Sequence, residues 1–84
     1  MERLDGNAIG GLLLELFGAE MTTSTGICAT CGAMAQVAEL HVYVRAPGTV
    51  VRCARCESVL MKIVRGRGRA WVDLRGLRTL ELSL

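Results

Sequence analysis

Cys28-Ala29-Thr30-Cys31-Gly32 and Cys53-Ala54-Arg55-Cys56 decide how this chain is built. Two cysteines separated by two residues bend into a knuckle, which lets both sulfurs reach one ion. Two such knuckles predict a single tetrahedral centre of four thiolates, Cys28, Cys31, Cys53 and Cys56. Gly32 follows the first pair, where the backbone often turns through a conformation costly for other residues. The 21 residues between Cys31 and Cys53 suit two short strands and a turn. Thiolate tetrahedra take zinc or a single iron. With one Trp, one Tyr and one Phe, the chain has few aromatic rings to enclose an iron centre. The expectation is therefore one structural Zn2+, with a rubredoxin-like electron carrier as the alternative. A centre with four protein ligands has no open position for water or substrate, so its work is folding.

Chain length makes such a staple useful. Eighty-four residues form one domain, and a core of that size usually needs a metal, disulfides or a partner. Hydrophobic residues make up 51% of the sequence, which excludes disorder. No uninterrupted apolar run exceeds three residues, as in Leu12-Leu13-Leu14, so no helical membrane span is expected. Met1 to Gly6 lacks a basic segment leading into an apolar stretch, so the expected location is the cytoplasm. Its reducing conditions favour metal ligation over a two-disulfide scaffold.

Around the knuckles the pattern is that of a small α+β zinc ribbon. Asp5 can cap a helix whose stripe is Ile9, Leu12, Leu13, Leu16 and Phe17, with Gly18 as its stop. Gly10 and Gly11 weaken that helix. Residues 1–18 are thus the amphipathic helix, 19–27 a polar connector, 28–75 an antiparallel sheet and 76–84 an apolar tail. Ala38 to Arg45 alternates as a strand, Ala46-Pro47-Gly48-Thr49 turns, and Val50 to Cys53 returns. Val59 to Val64 is apolar on both faces except at Lys62, as in a strand covered on both sides. Gly66-Arg67-Gly68 turns the chain into a further strand, Ala70 to Leu74. The tail fits a strand (Leu80, Leu82, Leu84) or a short helix (Leu77, Leu80, Leu84) equally well.

Leu4 to Gly11, the cysteine pairs and Arg65 to Gly76 together resemble a family of small actinobacterial proteins. That family is a domain of unknown function, and the resemblance spans nearly the whole chain. It implies a bacterial cytoplasmic zinc ribbon and assigns no catalytic residue.

Charge is uneven. Residues 1–44 carry one arginine against five carboxylates, net −4, and residues 45–84 nine basic residues against three acidic, net +6. Arg45, Arg52, Arg55, Arg65, Arg67 and Arg69, with Lys62, Arg75 and Arg78, could line one side of the sheet. Trp71 among them could stack on a base of a nucleic acid. The plainer reading has Arg52 and Arg55 balancing the thiolates and Trp71 packed beneath the helix. A mean hydropathy of +0.38 points elsewhere. It suggests a non-enzymatic module that meets a protein partner, or itself, through Ile9, Leu12, Leu13, Leu16 and Phe17 and the leucine-rich tail. No nucleophile–base pair or carboxylate dyad stands out, and no small-molecule substrate is indicated. His41, the one histidine, lies on the polar face of its strand.

Overall fold

The computed structural model describes residues 3–45 and 47–82. Its one α-helix and its antiparallel sheets give the expected small α+β ribbon. In chain order the elements are β1 (Leu4–Asp5), a 3-10 helix (Gly6–Ile9), α1 (Gly10–Phe17), β2 (Thr25–Cys28) and β3 (Met34–Gln36). A second 3-10 helix (Val37–Glu39), β4 (His41–Arg45), β5 (Gly48–Arg52), β6 (Val59–Gly66), β7 (Arg69–Asp73) and β8 (Leu77–Leu80) follow. One sheet has the order β1-β4-β5-β6-β7 and the other β3-β2-β8.

Asp5 caps as expected, its Oδ1 accepting from the Asn7 amide at 3.0 Å, but the turn it starts is 3-10. The α-helix begins only at Gly10 and ends at Gly18, which is left-handed at φ 70°. Gly10 faces Thr22, whose Cγ2 would lie 3.1 Å from an added Cβ, whereas Gly11 faces open space. Ile9 and Leu13 are buried within the chain's own core, and Leu12, Leu16 and Phe17 pack against it. The stripe thus closes the domain, which removes Ile9 and Leu13 from any surface offered to a partner. The connector also differs from a purely polar link. Met21 is buried in the core and Thr25 already begins β2.

The expected strand from Ala38 starts later, at His41. Gln36 and Glu39 close a capping box, with the Gln36 amide donating to Glu39 Oε1 at 3.0 Å, and that box winds Val37–Glu39 into a helical turn. The turn drives Val37 inward and hands its amide to the Ser24 carbonyl at 2.9 Å. Ala46 lies outside the described residues. The hairpin around it pairs Arg45 with Gly48 and His41 with Arg52.

β6 is internal to its sheet, between β5 and β7. Its inner residues Met61 and Ile63 are buried, but the opposite face is covered only at Leu60, and Val64 is exposed. The two-sided cover expected for this strand therefore stops after its first turns of pleat. A register shift between Val51 and Arg52 marks the place where the sheet leaves the knuckle. The tail is a strand: β8 adds to β2, with Leu77 opposite Cys28 and Leu80 opposite Gly26. Leu84 lies outside the described residues. The core is the inner face of the large sheet (Val42, Val51, Met61, Ile63) closed by Ile9, Leu13, Met21 and Val37.

Candidate metal centre and the exposed sheet face

Cys28 ends β2 of the small sheet and Cys53 follows β5 of the large one, so the centre forms where the sheets meet. The first cysteine of each pair is buried and the second exposed. All four Sγ atoms lie within 4.8 Å of one another. Cys28 Sγ is 3.7 Å from Cys56 Sγ, and Cys31 Sγ is 3.7 Å from Cys53 Sγ. A tetrahedron with metal–sulfur bonds near 2.3 Å has edges of about 3.8 Å, whereas a disulfide needs about 2.05 Å. The spacing fits four thiolates around one ion.

The two knuckles repeat one hydrogen-bond plan. The Gly32 amide donates to the Cys28 carbonyl and the Glu57 amide to the Cys53 carbonyl, each at 2.9 Å. Cys28 and Cys53 donate in turn to the carbonyls of Ala33 and Ser58, again at 2.9 Å. Amides also aim at sulfur, Cys31 N at Cys28 Sγ (3.5 Å) and Arg55 N at Cys53 Sγ (3.4 Å). The Cys31 amide lowers the Cys28 thiol pKa. The Ser58 hydroxyl and amide bring Cys56 down to about 6. The Ala33 amide pulls on Cys31, but desolvation and the three neighbouring thiols outweigh it and raise that group to about 11. Metal-free, the cluster cannot hold four thiolates together, because like charges disfavour one another; a cation resolves that conflict.

Glu57 was not legible as a site residue. It occupies the position in the second knuckle that Gly32 holds in the first, and both are left-handed, at φ 62° and 76°. The matching offset from Cys28 and Cys53 was the available signal. What holds a non-glycine residue there is its side chain. Its carboxylate meets His41 Nδ1 and accepts from the Tyr43 hydroxyl at 3.0 Å, while Arg52 donates to its carbonyl at 2.8 Å. His41, then Tyr43, hold the Glu57 carboxyl below its usual range. Its stabilising share is therefore present above the ordinary carboxylate pKa and is lost as pH falls through the folded value. Glu57→Gly keeps the conformation and Glu57→Ala does not, though both lose the carboxylate. The Gly variant should be the more stable by about 1 kcal/mol in denaturant melts of the metal-loaded chain; equal midpoints would refute a conformational cost at this position.

The basic residues do not share one side. Directly opposed residues in an antiparallel sheet point to the same face, and the registers place Arg45, Gly48, Val64 and Trp71 in one outward row. The adjoining row is Tyr43, Val50, Lys62 and Asp73. Arg52 and Arg69 also point outward, next to these rows. Arg65 points the other way and pairs with Glu15 of α1 at 3.2 Å. Arg67 sits in the β6–β7 turn, Arg55 in the second knuckle and Arg78 on the other sheet. Arg75 grips Asp73 at 2.7 Å, which holds that carboxyl down to about 2. Trp71 is 57% exposed, its ring resting on Gly66, where an added Cβ would lie 3.0 Å from the indole. It does not lie under the helix.

Fold and centre together define a ribbon-like α+β protein with a four-cysteine cluster able to hold a metal ion. The chain belongs to a family of unknown function, DUF6510, whose model matches residues 1–84. No curated protein and no solved structure matches it. Among the described residues no helix is long and apolar enough to cross a membrane.

Proposed function

We propose that this chain is a non-catalytic, zinc-organised binding module of the reducing cytoplasm, and that its outer sheet face binds single-stranded nucleic acid. Four protein ligands leave the ion no vacancy for chemistry. Zinc is favoured over iron because the apolar groove of about 450 Å³ beside Cys28 and Cys53 has no aromatic residue in its lining. The observation that carries the ligand class is the exposed indole of Trp71 in one row with Arg45, flanked by Lys62 and Arg69. An aromatic platform among cations stacks a base and neutralises the phosphates beside it.

Trp71 is the only tryptophan, so its fluorescence reports on this face alone. Titrating the zinc-loaded chain with oligo-dT or oligo-U at low salt should quench it, and the affinity should fall as salt rises. Because Trp71→Ala removes the reporter, fluorescence anisotropy of a labelled oligonucleotide follows that variant, which should bind about tenfold more weakly. No binding at low salt, or undiminished binding by Trp71→Ala, refutes the reading. Association through apolar surface is the second reading. With Ile9 and Leu13 buried, what favours it now is the free edge of β7.

A further inference from the structure

The large sheet ends on β7, and the side of β7 away from β6 is uncovered among the described residues. Free edges are usually blunted by lysine, proline, a bulge or a covering loop. β7 reads Arg69-Ala70-Trp71-Val72-Asp73 and is followed by Leu74, with Trp71, Val72 and Leu74 all exposed. Its only charges stand at the two ends, and they are opposite in sign.

Backbone direction along this edge follows from the turn before it. Arg65 donates its amide to Pro47 at 3.2 Å, toward the β5 side, so Arg65 and its opposite residue Ala70 form a non-hydrogen-bonded pair. The Ala70 N–H and C=O therefore point to the open edge, and by alternation so do those of Val72. Trp71 directs its backbone groups inward, to Val64.

We infer that β7 pairs antiparallel with β7 of a second copy of this chain, about a twofold axis at Trp71, joining two sheets edge to edge. In that register Ala70 faces the partner's Val72, so that the outward backbone groups of each strand meet their counterparts. Arg69 faces the partner's Asp73 at either end, which makes the strand charge-complementary to itself. Trp71 meets the partner's Trp71 as a non-hydrogen-bonded pair, the closer kind, where cross-strand aromatic contacts are strongest. Other alignments lose this match. A parallel pairing sets arginine on arginine, a slip of one residue sets outward backbone groups against inward ones, and a slip of two puts Trp71 opposite the partner's Asp73 or Arg69. The strand itself is five residues long, and pairing cannot run far past it, because beyond Gly68 opposite the partner's Leu74, Arg67 in the turn would come opposite the partner's Arg75. The contact is independent of the nucleic-acid reading, since a dimer of this kind needs no ligand.

Light scattering of the zinc-loaded full chain across a concentration series should give a mass approaching twice 9.0 kDa. Each chain has one tryptophan, so an exciton couplet in the far-ultraviolet circular dichroism of the dimer would come from an interchain pair. Ala70→Pro removes an edge donor that β6 does not use, and should weaken association at least about tenfold. Asp73→Arg should abolish the dimer, and adding Arg69→Asp to it should restore it. Zinc stoichiometry and amide dispersion report whether each variant is folded. A parent that stays monomeric at millimolar concentration overturns the inference. So does a dimer that survives both Ala70→Pro and Asp73→Arg, or a folded charge-reversed double variant that stays monomeric.

Discussion

Stripping the metal with a chelator is expected to unfold the ribbon, beginning with the three-stranded sheet. Structural zinc in small domains contributes about 10–16 kcal/mol at neutral pH, against about 5–15 kcal/mol for the whole stability of a typical domain. The ion would stand between β2 and the end of β5, so its loss frees one sheet from the other and sets four crowded thiols loose at the core's edge. Cys28→Ser and Cys53→Ser should act like the chelator, because each removes a buried ligand. Amide NMR provides the measurement: peaks from residues 25–36 and 77–80 should collapse toward random-coil positions. A spectrum unchanged after metal removal would sink the structural role of the centre.

The second large effect is expected from a single methyl group. A Cβ on Gly76 would lie 1.8 Å from the Val59 carbonyl oxygen and 2.5 Å from Leu60 Cα. Both obstacles are backbone, so neither can swing aside. The Gly76 carbonyl also accepts the Ala29 amide at 2.9 Å, tying the first knuckle to the turn that carries the chain from β7 into β8. Gly76→Ala should therefore cost about 3 kcal/mol or more and weaken metal retention with it. Gly11→Ala is the matched control. It adds the same methyl into open space on α1 and should stabilise by up to about 1 kcal/mol. If urea midpoints move alike for the two variants, the seam at Gly76 is not tight.

What the sequence made legible was mostly local. The knuckles, the α1 stripe and its Gly18 stop, and the hairpins β4–β5 and β6–β7 are set by neighbouring residues, and each was readable from spacing or alternation. β2 and β3 were not. Thr25-Gly26-Ile27 and Met34-Ala35-Gln36 are short and carry little pattern, and they are strands because β8 and the knuckle hold them. The same cause left the tail undecided between strand and helix. The stripe was read correctly as apolar, but periodicity does not say whether a helix covers its own sheet or another chain. Met21, buried from within a polar stretch, was invisible for that reason. At the centre all four cysteines were evident, while Glu57 was hidden because its side-chain partners, His41 and Tyr43, lie 16 and 14 residues away.

The pairing of β8 with β2 also bears on how the chain comes off the ribosome. Leu77 lies 49 residues after Cys28, its partner across the small sheet. The cysteines and the large sheet are complete once β7 has emerged, yet the small sheet lacks its third strand until Leu80 is made. During that interval an early strand waits with one side open, and long loops close more slowly than hairpins. Closure of the small sheet is then a late step, in which β8 completes a sheet that β2 and β3 began.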